Sequence, residues 1–558
     1  MKNGLLIISL CLFSFAGYAN QCSEYWHKGN YEKAFTPCKE EAEQGNADAQ
    51  YILAYMYEEG VGTKQDKQKA FYWYTKAAEQ GHPHPQHNLA IMYYQGEDIE
   101  QDKQKAFYWY TKAAEQGDPN AQSNLAYMYD EGDGIKQDYQ KAFYWYTKAA
   151  EQGDPNAQHN LAVMYYQGKG IKQDKQKAFY WYKKAAEQGE FYAQNNLALM
   201  YDEGDGIKQD KQKAFYWYTK AAEQGYPNAQ SNLAYMYDKA DGIKQDKQKA
   251  FYWYTKAAEQ GDPNAQSNLA YMYDKADGIK QDMQRAFYWY TKAAEQGDPN
   301  AQHNLAVMYY QGKGIKQDKQ KAFYWYTKAA EQGEPKAQYN LATMYHQGDG
   351  IKQDKQKAFY WYAKAAEQGE PKAQYNLAYM YDEGDSIKQD KQKAFYWYTK
   401  AAEQGDLYAQ YNLAVMNYQG KGIEQDKQKA FYWYAKAAKQ GDPKAQSNLA
   451  YMYDKGDGIK QDKQKAFYWY TKAAEQGYPY AQYNLAVMYY LGKGIEQDKQ
   501  KAFYWCTKAA EQGLAEAQYN LALMYDEGDG VKQNKSLAKK YYQLACDGND
   551  KKACNKLK

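Results

Sequence analysis

The sequence predicts an all-α solenoid of stacked helix-turn-helix repeats. Three observations lead there. The tetrapeptide AFYW begins at Ala70 and returns every 36 residues until Ala502, thirteen times in all. Within each period two segments carry apolar residues at i, i+4 and i+7, the spacing of one helix face. Glycines and an aspartate separate those segments at fixed places, which is how helices are ended and restarted. A strict period of this length marks a repeat architecture, in which each repeat buries its apolar face only against its neighbours. The 558 residues therefore grow in one dimension and need no series of separate cores.

In chain order, the first element is a secretory signal over residues 1–19. Lys2 supplies the positive start, Gly4 to Phe15 a short apolar run, and Gly17-Tyr18-Ala19 the small residues of a cleavage site. An N-terminal membrane anchor is the alternative, although the run is short for a full span. No later segment is apolar enough to cross a membrane. Residues 20–48 read as an N-terminal capping half-repeat: Ala34-Phe35 aligns with Ala70-Phe71, and Pro37 stands where the other repeats have Trp. Residues 49–552 hold fourteen repeats of 36 residues, and 553–558 form a C-terminal tail.

Six cysteines need placing. Cys11 leaves with the signal. In an oxidising compartment Cys22 with Cys38, and Cys546 with Cys554, are the expected disulfides, stapling the two ends where a repeat lacks a neighbour. Cys506 replaces the tyrosine found at the equivalent Tyr146, and reads as a buried or free thiol.

One repeat shows the local physics. Asp154-Pro155 is an N-cap followed by proline at the first helical position. Helix A then runs over about 155–166, with Ala157, Leu161 and Met164 on its apolar face. Gly168 and Gly170 break it, and Ile171 is a plug over the helix pair. Asp174 caps helix B, about 175–188, whose inner face is Ala178, Trp181, Tyr182, Ala185 and Ala186. Gly189 ends it. Lys177 and Glu187 oppose the helix dipole, so pairing between stacked repeats is expected for them. In two repeats the first loop glycine becomes Ala240 and Ala276, so glycine there is preferred but not obligatory.

The full pattern is A-Q-x-N-L-A-x-M-Y-x-x-G-x-G-I-x-Q-D followed by K-A-F-Y-W-Y-x-K-A-A-E-Q-G. It resembles Sel1-like repeats, relatives of the tetratricopeptide repeats, over residues 30–556. Ala126 and Ala162 stand where that family commonly has glycine. The resemblance implies a right-handed α-solenoid acting as an adaptor or scaffold for other proteins. The seven residues between Cys546 and Cys554 are similar to the disulfide spacing of cysteine-rich Sel1-like secreted proteins.

Chemistry is sparse. The 71 basic and 69 acidic residues leave a formal charge of +2, no field for nucleic acid or an anionic membrane. No phosphate-cradling loop, G-x-S-x-G or H-E-x-x-H occurs. His82, His84 and His87 cluster near the second repeat, where Pro83 and Pro85 make what reads as an extended irregular turn; no metal or cofactor is expected there. Ser536-Leu537-Ala538-Lys539 fits the S-x-x-K nucleophile motif of penicillin-interacting enzymes, but no S-D-N or K-T-G follows. Some Sel1-like proteins carry a β-lactamase label, which keeps a cell-envelope or peptidoglycan-acting enzyme as the alternative. No catalytic residue is assigned. Asn124 and its equivalents read as amides bonded to a neighbouring helix or loop, against a ladder for a peptide backbone.

Variation between repeats is more informative. Helix A differs chiefly at the positions of 123, 127 and 130, one stripe of the helix. Tyr55, Tyr127, Tyr235, Tyr271, Tyr379 and Tyr451 are each followed three residues later by an acid; Ile91, Val163, Val307, Val415 and Val487 are followed by Tyr94, Tyr166, Tyr310, Tyr418 and Tyr490. Helix A is expected to line the concave surface. The candidate binding residues are Tyr127, Tyr166, Tyr235, Tyr271, Tyr310, Tyr379, Tyr418, Tyr451 and Tyr490, with His159 and His303 beside them. Tyrosine anchors protein contacts at low entropic cost, so a protein or peptide ligand is expected, with a cell-envelope or host protein as the candidate source. Packing between repeats and stacking on a glycan are the other uses of such rings. The expected product is an exported, periplasmic or secreted, non-enzymatic scaffold.

Overall fold

The computed structural model describes residues 21–96 and 98–557. The signal segment and Cys11 lie outside the described residues. The chain forms two compact bodies, one ending at Gln281 and one beginning at Asp282. Both are built from helices alone among the described residues. The first body opens with helices Gln21–His27 and Tyr31–Glu43, followed by alternating A and B helices of 13 residues, such as Pro155–Gln167 and Lys175–Glu187. The second body repeats the pattern from Met283–Glu295 to the terminal helix Lys551–Leu557. Within each body, a helix packs chiefly against its neighbours in the chain.

The caps follow the sequence. Asp154 accepts from the Ala157 N–H at 2.6 Å and Asp174 from the Lys177 N–H at 3.0 Å, satisfying N–H groups that a helix start leaves unpaired. Pro83 also opens a helix, Pro83–Gln95. The irregular turn expected at 82–87 is therefore absent, because first-turn prolines give up no helical hydrogen bond.

The core repeats in register. Ala126 from one helix A, Ala142, Tyr146, Ala149 and Ala150 from its helix B, and Ala157, Leu161 and Met164 from the next helix A form one cluster. Small alanines let the backbones approach, and the buried tyrosine fills the remaining space. Trp145 packs against this cluster and the one before it, so the tryptophan joins repeats and is only half-buried. Lys177 and Glu187 differ from expectation. Lys177 lies 4.0 Å from its own cap Asp174 and over the Tyr165 ring, and Glu187 pairs with Lys183 at 3.7 Å. Partners one turn away on the same helix are nearer than any in the next repeat.

Helix A ends on a left-handed residue, Gly168 at φ 74°, whose N–H donates to the Met164 carbonyl at 2.8 Å. Ala240 and Ala276 hold the same conformation at φ 59° and 57°. Left-handed backbone costs an L-residue about 1–2 kcal/mol. Part of the gain on adding glycine is offset by greater freedom of the unfolded chain. Ala240→Gly is thus expected to stabilise the first body by about 0.5–1 kcal/mol, measured by the shift in denaturant midpoint.

At the ends, the Cys22 and Cys38 sulfurs lie at disulfide distance, as do those of Cys546 and Cys554. Cys506 is buried and unpaired among the described residues; its thiol donates to the Ala517 carbonyl at 3.3 Å.

Candidate functional site: the helix-A tyrosine stripe

The stripe separates into two classes of tyrosine. Tyr127, Tyr235, Tyr271, Tyr379 and Tyr451 stand out from helix A, each 42–48% exposed. Tyr166, Tyr310, Tyr418 and Tyr490 are half-buried, and each hydroxyl donates to an aspartate 39 residues on, in the loop of the next repeat. The Tyr166–Asp205 bond is 2.7 Å. The lysine opening the intervening helix B completes the strut: Lys175 pairs with Asp205 and sits 5.5 Å over the Tyr166 ring. The phenol–carboxylate bond pushes Tyr166 up to about 12, while Lys175 and Tyr166 hold the Asp205 carboxyl below its usual range. Tyr94 and Lys103 hold Asp133 in the same way, at 2.6 and 2.5 Å.

The exposed-tyrosine repeats solve the junction differently. There an aspartate replaces the strut tyrosine and reaches the lysine of its own repeat, as Asp238 does with Lys247 at 2.5 Å and Asp382 with Lys391 at 2.5 Å. Two repeats depart from this. Asp274 is followed by a helix B that begins with Met283, and it pairs instead with Lys275; Asp130 also has no such lysine. The helix B after Asp130 begins with Tyr139, over whose ring Lys169 of the next loop lies at 5.6 Å. Burial raises the Asp130 carboxyl above its ordinary range. The alternating tyrosine and acid thus set both the junction charge and the height of the ring on the surface.

In three repeats the asparagine is bound to a histidine of the preceding helix A. Asn124 meets His87 at 3.1 Å, Asn196 meets His159 at 3.2 Å, and Asn340 meets His303 at 3.1 Å. Burial lowers His159 to about 4 and also lowers His303, so both are neutral ring acceptors at pH 7. The three clustered histidines do not converge: His84 bonds Asp118 at 3.0 Å, His87 bonds Asn124, and His82 lies 4.0 Å from Asp48. Ser536 and Lys539 are exposed on the first turn of the helix Lys535–Asp547.

The repeat periodicity, the paired helices and the A-Q-x-N-L-A signature agree with a comparison of the sequence against known families. The Sel1 repeat family matches fourteen consecutive segments, from 47–82 to 515–550. The chain belongs to the Sel1 repeat family. Its fold is similar to that of a protective antigen of uropathogenic Escherichia coli displaying an SLR fold, at 37% identity and a TM-score of 0.64, covering 81% of this chain and 97% of that one. A Sel1 repeat protein from Oxalobacter formigenes is 34% identical over 55% of this chain and 89% of its own, with a TM-score of 0.43. No curated protein sequence matches the chain.

Three features of this Sel1 repeat protein escape sequence reasoning. One is a second row of tyrosines. The first tyrosine of each YWY, such as Tyr180, is exposed on helix B and stands edge-on to Trp181 at 5.0 Å. Its alignment with the buried tyrosine two residues on hid its direction. Another is a glutamine relay. Gln152 donates to Gln122 at 2.8 Å, and Gln122 donates to the buried Ala114 carbonyl at 3.0 Å, tying three successive helices together. The third is the strut. Its signal was in the sequence: Tyr166, Tyr310, Tyr418 and Tyr490 are each followed, 39 residues later, by aspartate.

Proposed function

We propose that this Sel1 repeat protein is an exported scaffold that binds a protein or peptide through the helix-A face of its repeats. One observation carries the reading. The interior repeats almost unchanged, while variation gathers on the stripe that exposes Tyr127, Tyr235, Tyr271, Tyr379 and Tyr451. A surface used only for packing has no reason to diverge while its core stays fixed, whereas recognition requires local differences. Rigid aromatic side chains spaced along the helix-A face of each body suit many modest contacts with a polypeptide partner, whose affinities combine through linkage. Export is supported by the N-terminal signal pattern and by the two cysteine pairs, which belong to an oxidising compartment. The likeness to a protective antigen is compatible with export.

The test is a pair of variants captured against envelope extract. Tyr127, Tyr235, Tyr271, Tyr379 and Tyr451 changed to alanine together should lose the bound partner by at least tenfold. Alanine at Tyr144, Tyr252, Tyr288, Tyr396 and Tyr468 on helix B should keep it. A helix-A variant that retains every partner overturns the proposal.

A further inference from the structure

At the junction of the last two repeats, Cys506 lines a recess of about 430 Å³ at a position where the other repeats place a tyrosine. The same place in the Val163 repeat is the closest internal comparison. Val163, Tyr166, Asn196, Leu199 and Met200 correspond one for one with Val487, Tyr490, Asn520, Leu523 and Met524. Tyr182 floors that recess, whose volume is about 190 Å³. A third recess, at Ile91, holds about 420 Å³ and is also floored by a tyrosine, Tyr110. Only the Cys506 recess, of the three, reaches the core alanines Ala486 and Ala502, which are 4% and 1% exposed. The depth is therefore the space that a phenol ring fills elsewhere. The cysteine is too short to fill it, and the surrounding alanines have no side chain to collapse inward.

We propose that this recess is a binding site for a small phenolic ligand, whose ring takes the place of the missing tyrosine ring. The lining supports both halves of such a molecule. Met524, Ala486 and Ala502 provide an apolar floor, and an engineered apolar cavity of about 150 Å³ is enough to hold benzene. At the mouth stands Asn520. In an equivalent repeat the same asparagine, Asn88, donates to the buried phenol oxygen of Tyr74 at 3.0 Å. Asn520 instead makes a long 3.3 Å bond to Tyr483, and can turn that N–H to a ligand hydroxyl. The thiol takes no part in covalent chemistry: burial pushes it up to about 12, so it is protonated at neutral pH. The proposal rests on the cavity alone and holds whether or not the helix-A face takes a polypeptide.

The experiment titrates the full chain with p-cresol, the free form of a tyrosine side chain, by calorimetry and by thermal unfolding. Saturable binding at one site is expected, with several-fold weaker binding of toluene because it lacks the hydroxyl. C506Y should abolish binding and raise the melting temperature of the free protein. C506F should also abolish it, which guards against misfolding of the first variant. C506A should keep binding, since the space remains. Absence of saturable p-cresol binding overturns the proposal, as does equal binding by C506Y or C506F folded like the wild type. Binding of acetyl-tyrosine-amide without p-cresol also overturns it, assigning the recess to a peptide side chain.

Discussion

Truncation of Tyr218 to alanine is expected to destabilise the first body by about 3–5 kcal/mol, the cost of removing a large buried ring from a close-packed core. Tyr218 is 1% exposed and packs among Ala198, Ala214, Ala221, Leu233 and Met236. Its neighbours are mostly alanines fixed on helix backbones, so the site relaxes little around the void. Stability in a repeat array is carried by each repeat and its interfaces. The loss should therefore appear first as faster amide exchange across residues 191–236, and then as an earlier denaturant transition. Tyr216, two residues away, is 52% exposed. Its alanine variant should stay within about 0.5 kcal/mol of wild type. Equal effects at the two positions would contradict the division of the aromatic stretch into an inner and an outer ring.

The second large effect lies at the strut. Asp205→Lys removes the acceptor of the 2.7 Å Tyr166 bond and sets a lysine against Lys175. Hydrogen bonds to charged groups contribute about 1.5–3 kcal/mol. The pair is partly exposed, with side chains 36% and 24% accessible, so a loss of about 2 kcal/mol is expected. The repulsive part should shrink as salt is added. Combining Asp205→Lys with Lys175→Glu restores an opposite-charge pair. A double-mutant cycle should then show favourable coupling of about 1 kcal/mol. Additive losses would mean that the strut is an incidental contact.

Much of the fold was legible in the sequence because every repeat tells the same story. Asp154, Pro155, Gly168 and Asp174 each announce one helix boundary, and the structure places caps at those residues. The alanines and Leu161 announce the buried face. Directions within dense aromatic runs were less legible. In FYWY only the last tyrosine is fully enclosed, because four adjacent rings on a helix cannot all face inward. The stripe was visible as variation, but its two chemistries were not. Tyr166 and Tyr127 look alike as letters, yet one hydroxyl is committed to Asp205 while the other ring faces solvent. The partner of Tyr166 lies in another repeat, and reasoning confined to a single 36-residue window misses it.

The central claim is that the exposed helix-A tyrosines contact a protein partner. A photo-cross-linking amino acid placed singly at Tyr235, Tyr379 and Tyr451 tests it in the producing cell. Tyr252 and Tyr396 on helix B serve as controls. The account predicts a discrete cross-linked protein of the same mass from each helix-A position and none from the helix-B positions. Cross-links from the helix-B row alone, or from no helix-A position, would contradict it.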